Sequence, residues 1–190
     1  MVGSELPKLA IRVRIPADAS MTGLEQVLAK EAFDKFKPES CVFVISVDTN
    51  GKPSGMVAGW KMKCSFEPPL FAVALSKKRH THRLIEQSRE FVVAVPNKGL
   101  EKEVVFFGSR HGDEVDKFKE TGIETEKAKN VKSPLIKNAT INLECVLEKQ
   151  VEAGDHTLFI GKVVAAHINR KKKVLFNLKK VEGKRVFEEM

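Results

Sequence analysis

The chain has 190 residues, 42% hydrophobic and 31% charged, the balance expected of one soluble globular domain with short terminal extensions. No stretch approaches the roughly 20 consecutive apolar residues of a membrane span, and the N-terminal MVGSELPKLAIRVR has no continuous apolar signal core, so a cytoplasmic location is expected. A net charge of +8 leaves open anionic partners, from nucleic acid to phosphorylated small molecules.

Residues 1–20 read as an irregular or extended arm. Thr22 and Glu25 match a capping box, and Leu24, Val27 and Leu28 follow at helical spacing. A helix to about Phe36 is expected, stopped by Pro38. From Cys41 the texture changes. CVFVISVD is a β-branched apolar run, Asn50-Gly51 is a strong hairpin signal, and PSGMVAGWKM returns as a second strand. LFAVALS is a third strand, KKRHTHRLIEQS a loop entering a helix, and EFVVAVP a fourth strand. Two helical pieces follow within 98–121, around LEKEVVFF and DEVDKFKE. The stretch 123–137 is polar and loop-like. Two long strands, ATINLECVLEKQVEA and DHTLFIGKVVAAHIN, join near Gly154, and VLFNL and KRVFE are two short closing strands. Strands that come as hairpins, with few helices, predict a mainly β barrel with peripheral helices.

Cys41, Cys64 and Cys145 are scattered and form neither a disulfide framework nor a zinc site. No G-x-G-x-x-G is present, and Gly51-Lys52-Pro53-Ser54-Gly55 has the wrong spacing for a P-loop. In Gly108-Ser109-Arg110-His111-Gly112 the serine stands one place too early for a nucleophile elbow. His80 and His82, two apart at a helix start, point to different faces, and no metal site is expected.

Three segments carry chemistry. Lys77, Lys78, Arg79 and Thr81 stand between a strand and a helix N-terminus. Free N–H groups, a bidentate guanidinium and a hydroxyl donor suit an isolated phosphate monoester. On composition alone, Thr81 as a plain helix cap with solvated bases is an equal alternative. Gly55 and Gly59 imply close backbone approach or bulges beside Trp60. A flat cofactor edge fits there, although Trp60 taken alone reads as a core residue. Gly154-Asp155-His156 reads as a hairpin turn that leaves His156 free for a role at a barrel rim. The basic run Arg170 to Lys173 reads as solvated surface.

In order, these segments resemble the flavin reductase-like, FMN-binding split-barrel family, which includes flavoredoxins. The match runs CVFVISVDTNGKPSGMVAGWKMKCSFEPPLFAVALSKKRHTHRLIEQSREFVVAVP, then GSRHGDEVDKF, SPLIKNATINLECVLEKQ and GDHTLFIGKVVAAH, about residues 40–168. The resemblance implies a six-stranded Greek-key split barrel spanning one domain, with its core at about 22–170. It also implies a homodimer with FMN near the interface. Its phosphate site maps to Arg79 and Thr81, helped by Ser76. Its ring and ribityl contacts map to Ala58, Gly59, Trp60, Lys61, Met62, Cys64 and Ser65. Asn97 and Lys98 reach the flavin or its phosphate from the barrel, and His156 corresponds to a nicotinamide-side position. Ser54-Gly55 and His111-Gly112 replace more usual family pairs, and there is no Tyr at all.

The function expected is an FMN-dependent NAD(P)H oxidoreductase, passing electrons to a flavin, a ferric complex or a redox protein. An FMN electron carrier that ignores nicotinamide is the alternative. A basic barrel for single-stranded nucleic acid is disfavoured, because most of the twelve Phe fall in core-like runs and no stacking platform is evident. Neither nucleic acid nor membrane is expected as a partner.

Overall fold

The computed structural model describes residues 24–190, and the chain divides into two compact units, 1–36 and 37–190. In the first unit, α1 (Ala29–Asp34) is shorter than the helix the sequence predicts. Leu28 is its N-terminal cap, in extended backbone with no side-chain cap bond, so Glu25 lies before the helix. Thr22, the expected cap, falls outside the described residues.

The second unit is built on a seven-stranded antiparallel sheet. Its strands are β2 (Val42–Val47), β3 (Pro53–Ala58), β4 (Lys61–Phe66), β5 (Pro69–Ser76), β6 (Glu90–Val95), β9 (Ile141–Ala153) and β10 (His156–Ile168). The spatial order is β3-β2-β6-β9-β10-β5-β4. The two edge strands, β3 and β4, are consecutive in the chain and joined through Gly59-Trp60. No ladder pairs them, so the barrel stays split. The run PSGMVAGWKM, expected as one strand, breaks there because the chain crosses from one sheet edge to the other. That crossing accounts for a seventh strand where six were expected.

Side-chain alternation in the central strands feeds two cores. Phe43 and Ile45 of β2 face one cluster with Val92, Ala94, Val104 and Phe107. Val42 and Val44 face the barrel interior with Val73, Phe91, Val93 and Phe159. All six β2 residues are buried, which is why this run reads as continuously apolar. The β2–β3 turn follows the Asn50-Gly51 signal: Gly51 has φ +81° and Asp48 Oδ1 accepts from the N–H groups of Asn50 and Lys52.

α2 (His80–Ser88), α3 (Glu101–Ser109) and α4 (Lys117–Thr121) lie where the sequence places helices. The 123–137 stretch is not all loop, since β7 (Thr125–Glu126) pairs with β8 (Leu135–Ile136). Two carboxylates, buried Glu144 and half-buried Glu90, anchor it. Glu144 accepts from Lys129 N at 3.1 Å, from Asn130 N at 2.6 Å and from His167 Nε2 at 2.8 Å. Glu90 accepts from the N–H groups of Lys132 and Ser133. The chain closes with β11 (Leu175–Val181) and β12 (Lys184–Glu189), whose hairpin joins β1 (Glu39–Ser40) in a three-stranded sheet. Residues 170–173 are exposed, as expected. No helix among the described residues is long and apolar enough to cross a membrane.

Candidate functional site

The turn from β5 into α2 is tight: Arg79 N donates to Ser76 O at 3.0 Å. Arg79 caps α2 from extended backbone, and no side chain bonds the helix start. The first turn holds no acidic residue, so its positive dipole end is uncompensated. Among the described residues the N–H groups of His80 and Thr81 have no backbone partner. Thr81 is only 2% exposed, and its hydroxyl has no partner among the described residues. His82 points the other way, into the core, where Nε2 meets Thr157 Oγ1 at 2.8 Å.

A cavity opens at this helix start. Arg79, His80 and Thr81 form one wall, Met56 and Val57 of β3 another, and Phe107, Gly108, Arg110 and Lys117 close it. No carboxylate lines it. Lys117, buried, donates to Gly55 O and Phe107 O, each at 2.9 Å. Burial lowers its pKa to about 8, with repulsion from Arg79 adding to the shift. Burial also lowers the His80 pKa, an effect the nearby Asp113 opposes. The arrangement gathers cationic side chains and a hydroxyl with no carboxylate among the lining residues. A phosphate monoester fits that donor set.

Ala58 follows the wall residue Val57 in β3, and the chain then turns through Gly59 into β4. Trp60 is 54% exposed, not the core residue its composition suggests. Its ring lies 4.7 Å from that of His156, centroid to centroid, with planes 35° apart. His156 pairs in register with Ser76 across β10 and β5, and its Nδ1 meets Asp155 Oδ1 at 2.7 Å. Trp60, Ser76 and His156 therefore gather at one end of the barrel. Lys61 Nζ turns to Ser40 O at 2.6 Å, and burial lowers its pKa. Met62 and Cys64 are exposed on edge strand β4, with Ser65 half-buried.

Gly55 in β3 and Gly59 in the turn after it have internal explanations. A Cβ at Gly55 would meet Ile45 Cδ1 at 2.5 Å, and one at Gly59 would meet Glu39 Oε2 at 3.2 Å. On those faces the close neighbour is the protein itself.

Asn97 and Lys98 are not brought to this cavity's walls. Asn97 Nδ2 donates to Asn138 O at 2.6 Å and its Oδ1 accepts from Gly99 N, which caps a short 3-10 turn. Lys98 Nζ donates to Phe187 O and ion-pairs with Glu101, and Lys98 N donates to Glu189.

Three basic residues were not singled out from sequence. Lys117 stands in the D-K-F landmark, but a lysine in a short polar helix reads as solvated. Arg110 lies in the G-S-R-H-G segment. Arg185 of β12 reaches Gly108, its Nη1 3.8 Å from where a Cβ would sit. Only the tertiary fold carries that residue to the cavity's rim.

A family model described as a flavin reductase-like domain matches residues 38–183. An uncharacterised protein of Archaeoglobus fulgidus is 43% identical over 113 residues, 60% of this chain and 64% of that protein. A ferric-chelate reductase (NAD(P)H) of the same organism is 29% identical over 76% of this chain and 84% of its own length. Among solved structures, the NADH:FAD oxidoreductase of Streptomyces globisporus C-1027 superposes with a TM-score of 0.73 at 26% identity, covering 85% of this chain and 91% of that one. The matched stretch spans just under two thirds of the Archaeoglobus protein and 63% of a Pyrococcus abyssi relative.

Proposed function

The chain belongs to the flavin reductase-like domain family, and on that premise we propose that it binds FMN and moves electrons from NAD(P)H to a flavin, a ferric complex or a protein acceptor. The observation that carries this reading is the carboxylate-free cavity in which Arg79, Thr81, Arg110 and Lys117 meet at the open start of α2. Reductase relatives support the redox chemistry. One is the ferric-chelate reductase above, and another is an NADH-dependent FAD reductase of Streptomyces globisporus, 31% identical over 66% of this chain.

FMN, when bound, supplies the hydride acceptor and the path to the next carrier. The protein's task is to bind, orient and shield. Arg79, Arg110 and Lys117 neutralise the phosphate, and Thr81 and the α2 N–H groups bond its oxygens. The backbone of Ala58 to Met62 carries the ring system, with Cys64 and Ser65 beyond it, and Ser76 supports the turn that carries Arg79. Trp60 and His156 cover the donor side and exclude water. Asn97 and Lys98 act indirectly, by fixing the end of β6 against the C-terminal hairpin.

A homodimer belongs to the proposal. Edge strand β4 has one free side and exposes Met62 and, 86% exposed, Phe66, with Trp60 just before it. A reducing, cytoplasmic setting is supported by three free thiols, of which Cys41 and Cys145 are buried with pKa values raised by burial to about 11 and about 12.

The test is purification of the full chain and anaerobic titration with NADH and NADPH. Yellow protein that releases FMN on denaturation, and bleaches with either donor, is the expected result. FMN that binds but is reduced only by a protein donor indicates the carrier alternative. Colourless protein that takes up no flavin overturns both readings.

A further inference from the structure

A cavity of about 370 Å³ opens beside the start of α3, and none of its lining residues belongs to the basic cavity. Glu103 lines it from the first turn of α3, Glu124 from the chain after α4, Asn138 from the turn before β9, and Lys172 from the basic run 170–173. Asn97, 1% exposed, ties two of these segments together: its Nδ2 donates to Asn138 O at 2.6 Å and its Oδ1 accepts from Gly99 N at 3.0 Å. The volume falls within the range of about 300–1,000 Å³ that holds small molecules.

Glu103 Oε2 is shut from water and accepts no hydrogen bond. The positive end of α3 favours an acid in its first turn. That accounts for the charge of Glu103, and not for a buried oxygen left without a donor. Native structures leave few such atoms, because the lost hydration is not repaid. The neighbours do not supply the donor. The Asn97 amide is spent on backbone partners, and Lys137 Nζ meets the other acid, Glu124, at 2.8 Å.

Two opposite charges remain on the walls. The Glu103 carboxylate and the Lys172 ammonium pair with no side chain among the described residues, nor with each other. A ligand bearing only positive charge is drawn to Glu103 and repelled by Lys172, and one bearing only negative charge meets the reverse. A ligand bearing both signs satisfies both walls.

We propose that this cavity binds a small aminocarboxylate, a zwitterion whose ammonium donates to Glu103 and whose carboxylate meets Lys172. The site is separate from the flavin reading and stands or falls without it.

The experiment is calorimetric titration of the dialysed full chain with L-alanine, L-leucine, L-glutamine and 4-aminobutyrate. The singly charged controls are n-butylamine and butyrate. At least one aminocarboxylate is expected to bind, with both controls about tenfold or more weaker. Glu103→Gln and Lys172→Met are each expected to weaken that ligand by about tenfold or more and to hold FMN affinity within about twofold. Glu103→Gln should also unfold at the wild-type temperature or above it, because it removes a buried charge that lacks a donor. The inference is overturned if none of the four aminocarboxylates binds, or if n-butylamine or butyrate binds as tightly as the best of them. It is equally overturned if both variants leave that affinity unmoved, or if Glu103→Gln lowers the unfolding temperature, which would make the carboxylate a structural group.

Discussion

The Lys117 ammonium donates to the carbonyl oxygen of Gly55 at 2.9 Å, tying α4 to edge strand β3 beneath the basic cavity. Its two hydrogen bonds both go to carbonyl oxygens, and of the nearby charges Arg79 lowers its pKa while Asp113 opposes that shift. On the proposed function, a bound phosphate would add negative charge here.

The first prediction concerns pH. Burial, with Arg79 adding, lowers the Lys117 pKa to about 8. Only the protonated amine attracts a phosphate dianion, and protonation is lost as pH rises through that value. FMN affinity should therefore be full below about pH 7 and decline as pH climbs through 8. Flavin fluorescence quenching between pH 6 and 9.5 measures it. Lys117→Met should bind more weakly with that pH dependence reduced. A flat wild-type profile removes Lys117 from the phosphate site.

A second prediction tests the helix start. Arg79→Ala with Thr81→Ala removes a charge-assisted bond and a hydroxyl donor. FMN binding should weaken by roughly 2–4 kcal/mol. Thr81 is buried but small, so thermal unfolding should move little. Unchanged FMN titration reassigns the cavity.

The Trp60–His156 pair gives a third. If these rings cover the donor side, His156→Ala should raise the KM for NAD(P)H several-fold while leaving the FMN dissociation constant near wild type. Equal loss in both would mean that His156 holds the flavin or the fold instead.

A fourth prediction concerns stability. Glu144 is fully buried. Burial alone would raise its pKa, but His167 and the Lys129 and Asn130 N–H groups outweigh this and hold it below the usual carboxylate value. A carboxylate depressed in the folded state contributes stability above its unfolded pKa and loses it as pH falls through the folded value. Glu144→Ala should cost about 3 kcal/mol or more at neutral pH, because buried donors lose their acceptor. The gap between variant and wild type should narrow below pH 4, as followed by urea denaturation.

The free side of β4 gives the last. Phe66→Asp places a charge on the exposed edge and should shift the protein from dimer to monomer in sedimentation equilibrium. A wild-type monomer at all concentrations removes the dimer from the proposal.

Much of the barrel was legible because local rules wrote it. Asn50-Gly51 marks the hairpin through a positive φ, and the continuous apolar run at β2 marks a strand buried on both faces. The break at Gly59-Trp60 was not legible, since nothing local says that the chain changes sheet edge there. The β7–β8 pair was missed for a similar reason: two-residue strands have no period, and their loop is held by Glu90 and Glu144 from distant strands. Asn97 and Lys98 follow β6 as expected, yet partners from Asn138, Phe187 and Glu189 draw their polar groups away from the basic cavity.

By itself the sequence determined the order of strands and helices and the basic turn at Arg79–Thr81, because periodicity and turn chemistry act over a few residues. The tertiary structure alone decided which cations share that turn's cavity. Lys117 and Arg110 arrive from 31 or more positions along the chain, and Arg185 reaches the rim from 106. It also decided that Trp60 faces outward beside His156. Such encounters depend on how antiparallel strands close on one another, which no local pattern encodes.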